Sequence, residues 1–562
     1  MQFVDWILVR VGIFFSSTHA EEFMKRRICF AFLPVIALTG CFTQSVQAQY
    51  LDQIGVTLLR TTTTNLNGSG IRVAQPEASG DYLAWQVNPI SVGQPVNLFT
   101  YISSNGTAST FPNALGSESG HADNVANQFY GITNGVATNV AHVDSYEVDD
   151  FLNNYIFATL PVNINASVVN QSFTFGPQPV ANQQIIDSLY DNYSDQYGTL
   201  FVSAADNYGT SPPSSTNVCA PGTSYNCICV GSYANGNFGN SLGPTADNGR
   251  CKPDITALAS GRETSYTTPQ VAGAAAVMMQ AALHGDGGSD TNSAADMLTI
   301  KALLLNGAVK PANWTNSNAS PLDARYGAGV LNVFNAYKQL AGGKHGYIAS
   351  ETVTSGGTHP PTGSVGTISA LSGWDFNNNA GSNTKDRVNH YYFNVTNELS
   401  GASFAATATL VWGRHNNPTY QISPIGINNL NLFLYNCANS NLVTCSTSLV
   451  DNVEHIFVPK LPQGRYDLQV WKAAGSSIST SETYALAFAF TSTELSITND
   501  GINTALTWPV YPDGFKVEAA DSLTAPVWSS SQLPAAVFTN GQNVLLLNPT
   551  NDVRFFRLHQ MP

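Results

Sequence analysis

The stretch GRETSYTTPQVAGAAAVMMQ, residues 261–280, decides the fold, because it begins with charged and hydroxyl side chains and then turns apolar for most of a dozen positions. The pattern predicts a buried helix from Thr267, with Pro269 in the first turn, where a missing N–H has no partner to lose. Ser265 then precedes the helix, and the positive end of the helix dipole stabilises negative charge that develops near its hydroxyl. A serine here is more often only a cap, so the stretch alone leaves both roles open.

Strand-like and helical segments alternate on both sides of this stretch, from about residue 50 to 340. β-branched runs such as GIRVAQ (70–75), NASVVNQSF (165–173) and GTLFVSAADN (198–207) alternate with helical patterns. Such alternation predicts an α/β domain whose mainly parallel sheet is covered by helices on both faces. We assign this domain to residues 49–344.

The helical pattern ends near Lys344. Residues 345–495 show period-two runs separated by Gly, Pro and Asn, which predict an antiparallel, jelly-roll-like β-sandwich. Residues 496–562 show shorter runs with the same period-two alternation and predict a small C-terminal β module.

Length and composition agree with several domains in one chain. The 562 residues are 43% hydrophobic, enough for more than one core, and only 11% are charged. The formal net charge of −14 argues against nucleic acid or an anionic membrane as partner. We expect a monomer.

The N-terminal region, residues 1–48, has the pattern of an export signal. Within residues 24–48 three basic residues precede an apolar run and a small-residue segment that ends at Ala48, and Met24 is an alternative start. We favour release after Ala48, into the medium or the periplasm. A second interpretation is a lipid anchor at Cys41, in the sequence LTGC. No later apolar stretch is long enough to span a bilayer.

Six cysteines follow the signal region, and an even number in an exported chain predicts disulfides. Cys437 and Cys445 bracket a short loop between strand-like runs and are predicted to pair. The spacing of Cys227 and Cys229 does not fit a zinc site, and His415 and His455 have no partner spacing that indicates a metal. We therefore assign no cofactor to these residues.

A set of motifs in order along the chain resembles the subtilases, the subtilisin-like serine proteases. TSYTTPQVAG (264–273) resembles their nucleophile motif, although Glu263 stands where the family has Gly and Tyr266 where it has Met or Leu. GHADNVANQFYG (120–131) resembles the histidine motif, although HADN departs from the usual His-Gly-Thr-His. VSAADNYG (202–209) resembles the strand end that carries the oxyanion asparagine. Three further segments also match in order: VVNQS (168–172), KPDI (252–255) and YGAGVLNVFNAY (326–337).

The resemblance implies a role for each matching residue. Ser265 would attack the peptide carbonyl, His121 would act as general base and then general acid, and Asn207 would stabilise the oxyanion. From their local sequence alone, His121 and Asn207 would be interpreted as ordinary loop residues. Their position in the ordered set favours the catalytic roles.

The acid of the triad is where the chain departs most from the family, whose first strand ends in Asp-Ser-Gly or Asp-Thr-Gly. GSGIRVAQPEASGD (68–81) offers Glu77, which we predict to orient the His121 ring, with Asp81 as the fallback. Asp144 is a decoy, since it follows the histidine region. The resulting order of acid, His and Ser is that of subtilisin.

The resemblance implies a secreted serine endopeptidase whose partner is a protein or peptide substrate. An alternative is a catalytically degenerate relative that acts as a binding or adhesion protein. An α/β-hydrolase esterase is weaker, because Ser265 lacks the Gly-x-Ser-x-Gly setting. Calcium often supports the family, but no acidic loop here nominates ligands.

Two expectations concern the parts outside the catalytic domain. Residues 345–495 resemble the β-sandwich that follows the catalytic domain in a group of bacterial subtilases, and a glycan or cell-surface contact through the β domains is a further possible role. Only about 20 residues separate the signal from the first catalytic strand. We therefore expect no inhibitory pro-domain, and we expect the sandwich to cover hydrophobic surface in its place.

Overall fold

The structure is a computed structural model. It describes residues 46–560 except for these segments: 79–82, 159, 210–216, 235–236, 259–262, 355–356, 364–365, 381–383, 397–402, 418–419, 475–477, 493, 500–502, 511–514, 525, 540–541 and 549–553.

The first part of the described chain folds around a mainly parallel sheet. Its strands are β1 (Arg72–Glu77), β2 (Ala84–Gln86), β3 (Phe99–Ser103), β4 (Gly106–Ala108), β5 (Ser117–Glu118), β6 (His142–Glu147), β7 (Val168–Gln171), β8 (Leu200–Ala204), β9 (Ile228–Ala234), β10 (Asn237–Phe238) and β11 (Ile255–Leu258). The strand order is β10-β9-β8-β7-β1-β6-β3-β4, with β11 also paired to β9, while β2 and β5 form a separate pair. All neighbours in the large sheet are parallel except β3 with β4 and β9 with β10.

Helices cover both faces of this sheet. They are α1 (Val46–Gln53), α2 (Val56–Thr62), α3 (Gly120–Phe129), α4 (Val148–Phe151), α5 (Val180–Tyr197), α6 (Thr264–His284), α7 (Thr291–Ala294), α8 (Met297–Asn306) and α9 (Val333–Ala341), with a short 3₁₀ turn at Val96–Leu98 and a π turn at Leu152–Ile156. Val168 of β7 belongs to the core that contains α3 and α6, whereas the next residue, Val169, belongs to the core of α5. Alternate side chains thus point to opposite buried faces, as a parallel sheet requires.

An antiparallel sandwich follows the parallel sheet. Its strands are β12 (Ala349–Thr354), β13 (Ser372–Ala380), β14 (Lys385–Val395), β15 (Phe404–Trp412), β16 (His415–Asn417), β17 (Tyr420–Gly426), β18 (Leu430–Asn436), β19 (Leu442–Ser446), β20 (Val453–Leu461), β21 (Gly464–Lys472) and β22 (Ser481–Ser492). One sheet has the order β12-β14-β21-β18-β19 and the other β13-β22-β15-β20, with β16 and β17 as a separate hairpin. Apolar side chains from the two sheets share one core.

A small β module ends the described chain. Its strands are β23 (Ser496–Asn499), β24 (Thr504–Pro509), β25 (Phe515–Ala520), β26 (Val537–Thr539), β27 (Gln542–Leu547) and β28 (Phe555–Gln560). They form a sheet of order β23-β24-β27-β26 and a β25–β28 pair around a small core of their own. The predicted fold class, an α/β domain followed by a sandwich and a β module, is confirmed.

The parallel sheet and the sandwich share apolar packing. Trp374, Val411 and Val453 of the sandwich belong to the same buried cluster as the leucines of α8. Every residue of α8 is buried, and the helix contacts the sandwich strands β15 and β22 as well as α6 and α9. The sandwich therefore completes the cover of the preceding domain.

The disulfide prediction is wrong in this structure, where all six described cysteines are free thiols. Cys445 lies opposite Phe433 in the β18–β19 ladder, and Phe433 is four residues before Cys437. Four residues of strand span about 13 Å, and a disulfide needs Cα atoms within about 7 Å. The register of the hairpin therefore keeps Cys437 and Cys445 apart.

Candidate active site

Glu77 and His121 meet at the carboxyl end of β1. Glu77 is the last residue of that strand and is 3% exposed. His121 lies in the first turn of α3, which Ser119 caps by accepting a hydrogen bond from the N–H of Ala122. A hydrogen bond joins His121 Nδ1 to Glu77 Oε1. Because a carboxylate accepts, Nδ1 carries the proton and Nε2 is left as the basic atom of the ring.

Gln75 supports this pair and was missed by sequence reasoning. It is fully buried in β1, two residues before Glu77 and on the same face of the strand. Its amide donates to the carbonyl of Ala122 (3.0 Å), beside His121, and its oxygen accepts from the hydroxyl of Tyr130 (2.8 Å). A polar amide in an otherwise buried strand was the signal that could have found it.

Ser265 lies within the first turn of α6 rather than before the helix, because the helix begins earlier than expected. It starts at Thr264 rather than Thr267, which moves Pro269 out of the first turn to the sixth helical position. Pro269 has no N–H for the carbonyl four residues earlier, that of Ser265. The hydroxyl of Ser172, just after β7, donates to this carbonyl instead (2.9 Å). A partner from the segment after β7 therefore satisfies the carbonyl, so the helix can begin before Pro269 reaches its first turn.

The Ser265 hydroxyl faces the same neighbour. Its hydrogen bond runs to the backbone carbonyl of Ser172 (3.4 Å). The adjacent Tyr266 has its ring centroid 6.0 Å from that of His121. The starts of α6 and α3, which carry Ser265 and His121, therefore lie side by side.

Two glutamines tie these helices together. Gln270 of α6 donates to the carbonyl of Leu258 in β11 (2.6 Å) and to the side-chain oxygen of Gln128 in α3 (3.2 Å). Gly273 allows close packing, because a Cβ there would lie 2.7 Å from Cβ of Val136. These contacts set the position of Ser265 relative to His121.

Asn207 lies next to the start of α6. Its Oδ1 accepts from the N–H (2.7 Å) and the hydroxyl (2.9 Å) of Thr264. The preceding residue, Asp206, has φ 80°, and its carboxylate accepts from the hydroxyl of Thr174 and from the N–H of Asn207. A left-handed turn held by its own side chain therefore places the Asn207 amide against Thr264, the residue before Ser265.

Electrostatics at the pair reflect its burial. Burial raises the pKa of the Glu77 carboxyl, and the hydrogen bonds from His121 and Gln75 oppose this rise. Burial by itself lowers the pKa of His121, but the hydrogen bond and charge of Glu77 and the charge of Glu263 outweigh it, so the pKa is raised. The imidazolium form is therefore stabilised at this site.

The other predicted acids have different fates. Asp144 is fully buried in β6 and pairs with Arg72, at 2.7 Å from both Nε and Nη2, so it is engaged away from His121. Asp81 lies outside the described residues. Glu77 is therefore the predicted acid that contacts the histidine.

In the part of the chain that the structure describes, no group of three His, Cys, Asp or Glu side chains is placed to hold a metal ion. His415 contacts Glu482 (3.0 Å) and Asp195 (3.5 Å), while His455 contacts Thr409 (2.8 Å). None of the described helices has the length and hydropathy needed to cross a membrane.

Comparison with known families gives one match. Residues 100–329 match the model of the subtilase family, Peptidase_S8. The matched range contains His121, Asn207 and Ser265 and begins after Glu77. No curated protein is significantly similar to the chain.

Three solved structures are similar to the chain at low sequence identity. The serine protease of Aeromonas sobria is 12% identical over 91% of this chain and 93% of its own, with a TM-score of 0.37. Fervidolysin from Fervidobacterium pennivorans, a keratinolytic enzyme related to subtilisin, is 12% identical over 90% of this chain and 76% of its own, with a TM-score of 0.32. The self-cleaved protease domain of PatA is 21% identical over 49% of this chain and 99% of its own, with a TM-score of 0.31.

Proposed function

We propose that this protein is a serine endopeptidase that cleaves peptide bonds through an acyl-enzyme on Ser265, which lies within the residues that match the subtilase model, 100–329. The observation that carries the proposal is the hydrogen bond between His121 and the buried Glu77. It holds the imidazole in the tautomer that a general base needs, beside the helix start that bears the serine.

The chemistry follows from this placement. His121 Nε2 takes the proton of the Ser265 hydroxyl as the oxygen attacks the peptide carbonyl. This step requires the hydroxyl to turn from the Ser172 carbonyl toward the imidazole, a rotation about one side-chain bond. The imidazolium, stabilised by Glu77, then gives the proton to the leaving amine. Water releases the acyl group by the same path in reverse.

Two donors are proposed to stabilise the oxyanion of the tetrahedral intermediate. The N–H of Ser265 lies in the first turn of α6, where backbone donors have no partner within the helix. The Asn207 amide uses its oxygen for Thr264, so the nitrogen on the other side of the amide is the second donor. Loss of such a donor typically lowers kcat by about 10²–10³.

The alternative function is a catalytically degenerate binding or adhesion protein. The hydrogen bond of the Ser265 hydroxyl to Ser172, away from the imidazole, favours it. A fluorophosphonate probe distinguishes the two functions, because it reacts only with an activated serine. We expect the full chain to be labelled, and a chain that stays unlabelled would support the binding protein.

Export and quaternary structure are parts of the same proposal. We propose that the protein is secreted or periplasmic and monomeric, with release after Ala48 favoured over a lipid anchor at Cys41, which lies outside the described residues. A structural calcium ion and glycan or cell-surface contacts through the β domains also stay predictions. Peptide or protein is the proposed substrate.

Replacing Glu77 by Ala is expected to lower kcat by about 10⁴ while the protein stays folded. Without the carboxylate the imidazole loses its tautomer and the stabilisation of its cationic form. The measurement is kcat on a peptide substrate, with circular dichroism to confirm the fold. Glu77→Asp is the matched control and should keep more activity, since the charge remains. Full activity in Glu77→Ala would assign the orienting role to another acid.

The acidic limb of kcat/KM is expected to lie above the pKa of an ordinary imidazole, about 6.5. The pKa of His121 is raised, and only its neutral form accepts the serine proton, so activity is present above the raised pKa and lost as the pH falls through it. Glu263→Gln removes one negative charge that raises this pKa, so the limb should move to lower pH. A pH profile of kcat/KM on an uncharged substrate measures both, and a limb that moves to higher pH in the variant would contradict this assignment.

A further inference from the structure

Glu263 has an unusual position at the start of α6. It is the residue that precedes the helix, two positions before Ser265, and its side chain is exposed. A carboxylate at such a position normally accepts hydrogen bonds from the first helical N–H groups. Here it caps none of them, and Asn207 from the loop after β8 accepts from Thr264 instead. The Glu263 carboxylate therefore lies exposed at the start of the helix and does not cap it.

Other carboxylates near the site have structural partners. Glu77 contacts His121, and Asp206 accepts from Thr174 and from the N–H of Asn207. Glu118 accepts from Asn88 (3.0 Å) and from a serine in the same loop. Glu263 is thus the acid next to the nucleophile whose placement the fold itself does not explain.

The position of His121 shows which part of a bound substrate would lie near Glu263. His121 must hand its proton to the leaving amine, so the part of the substrate after the scissile bond passes beside the imidazole. The Tyr266 ring lies next to that imidazole, at 6.0 Å between centroids. The N–H of Tyr266 donates to the backbone carbonyl of Glu263 (3.2 Å), which places Glu263 beside this ring. Glu263 and Tyr266 therefore flank the leaving-group side of the scissile bond.

We infer that Glu263 and Tyr266 form the subsite for the residue that follows the scissile bond, and that they select lysine or arginine there. The aliphatic stem of such a residue packs on the half-buried Tyr266 ring while its cationic end pairs with the Glu263 carboxylate. The formal net charge of −14 acts in the same direction, since it attracts basic segments. This inference rests on the proposed peptidase function and names its substrate class.

The test uses internally quenched peptides that differ only in the residue after the scissile bond, which is Arg, Ala or Glu. We expect the full chain to cleave the Arg peptide with a kcat/KM about fivefold above that of the Ala peptide, since an exposed ion pair contributes up to about 1 kcal/mol. Glu263→Gln should bring this ratio close to one. Glu263→Lys should invert the order, so that the Glu peptide is cleaved faster than the Arg peptide.

The matched control is Glu118→Gln, which removes an exposed carboxylate near α3 and should keep the Arg preference. A substitution that alters the catalytic groups changes kcat/KM for all three peptides by the same factor. The ratio between two peptides therefore reports only the preference for the residue after the scissile bond. Equal cleavage of the three peptides by a chain that reacts with a fluorophosphonate would overturn the inference and leave the proposed function standing. An Arg preference that persists in Glu263→Lys would also overturn it. A chain that is neither labelled by the fluorophosphonate nor able to cleave the peptides would overturn both the inference and the proposed function.

Discussion

Replacing Ser265 by Ala is expected to abolish peptide hydrolysis, lowering kcat on the order of 10⁶. The hydroxyl is the only group that the proposal allows to form the acyl-enzyme, so the loss should exceed that of any supporting residue. The variant should fold normally, because Ser172 donates to the backbone carbonyl of residue 265, which Ala retains. Casein hydrolysis and fluorophosphonate labelling measure the loss, and both should disappear together.

His121→Ala is expected to lose activity to a similar extent, since the serine and its base act as one unit. For the same reason the double variant should be no slower than either single variant, because effects within such a unit are not additive. A thermal melt close to that of the unmodified chain is the control for folding. Substantial casein hydrolysis by Ser265→Ala would mean that another residue is the nucleophile.

Removing the sandwich is the second change with a large expected effect. A chain of residues 49–344 is expected to be insoluble or inactive. The first reason for this expectation is the shared apolar core, in which Trp374 and Val411 of the sandwich pack in the same cluster as the buried leucines of α8. Without the sandwich that helix would present these side chains to water, and exposed patches of this kind drive aggregation.

Polar contacts across the same interface point the same way. Arg414 pairs with Asp191 of α5 (3.0 Å), and both side chains are almost fully buried. Asp451 accepts from the N–H of Cys251 (2.7 Å), while Asn306 at the end of α8 accepts from Thr409 (2.9 Å). Truncation would leave Asp191 without its cation, and the Cys251 N–H and Asn306 without their partners, at a face that the sandwich no longer covers.

The soluble fraction and the fluorophosphonate labelling of residues 49–344 measure the effect. The matched control is residues 49–495, which lacks only the C-terminal β module and its separate small core. We expect this control to stay soluble and to be labelled like the full chain. A soluble and active 49–344 fragment would show that the catalytic domain folds without its neighbour.

The fold class could be predicted from the sequence because its signals are local. Alternation of β-branched runs with a long apolar helix predicts a parallel sheet, and a change to period-two runs near Lys344 predicts antiparallel strands. Neighbouring residues alone carry these patterns. The order of Glu77, His121 and Ser265 along the chain likewise predicted the members of one site, and the structure joins the first two by a hydrogen bond.

Contacts between distant segments could not be predicted in this way. The early start of α6 depends on the Ser172 hydroxyl, 93 residues before Ser265, which satisfies the carbonyl that Pro269 cannot. Gln75 reaches the turn of His121 only because β1 and α3 pack together. Cys437 and Cys445 stay apart because of a strand register that their spacing does not encode.

Periodicity along the chain thus determined which elements form and where reactive side chains stand at their ends. Packing between elements decided which hydrogen-bond partners those side chains meet and which surfaces stay covered. The physical reason is that backbone propensity and hydrophobic pattern act over a few residues, whereas register, buried polar pairing and a shared core depend on segments that come together only in the folded protein.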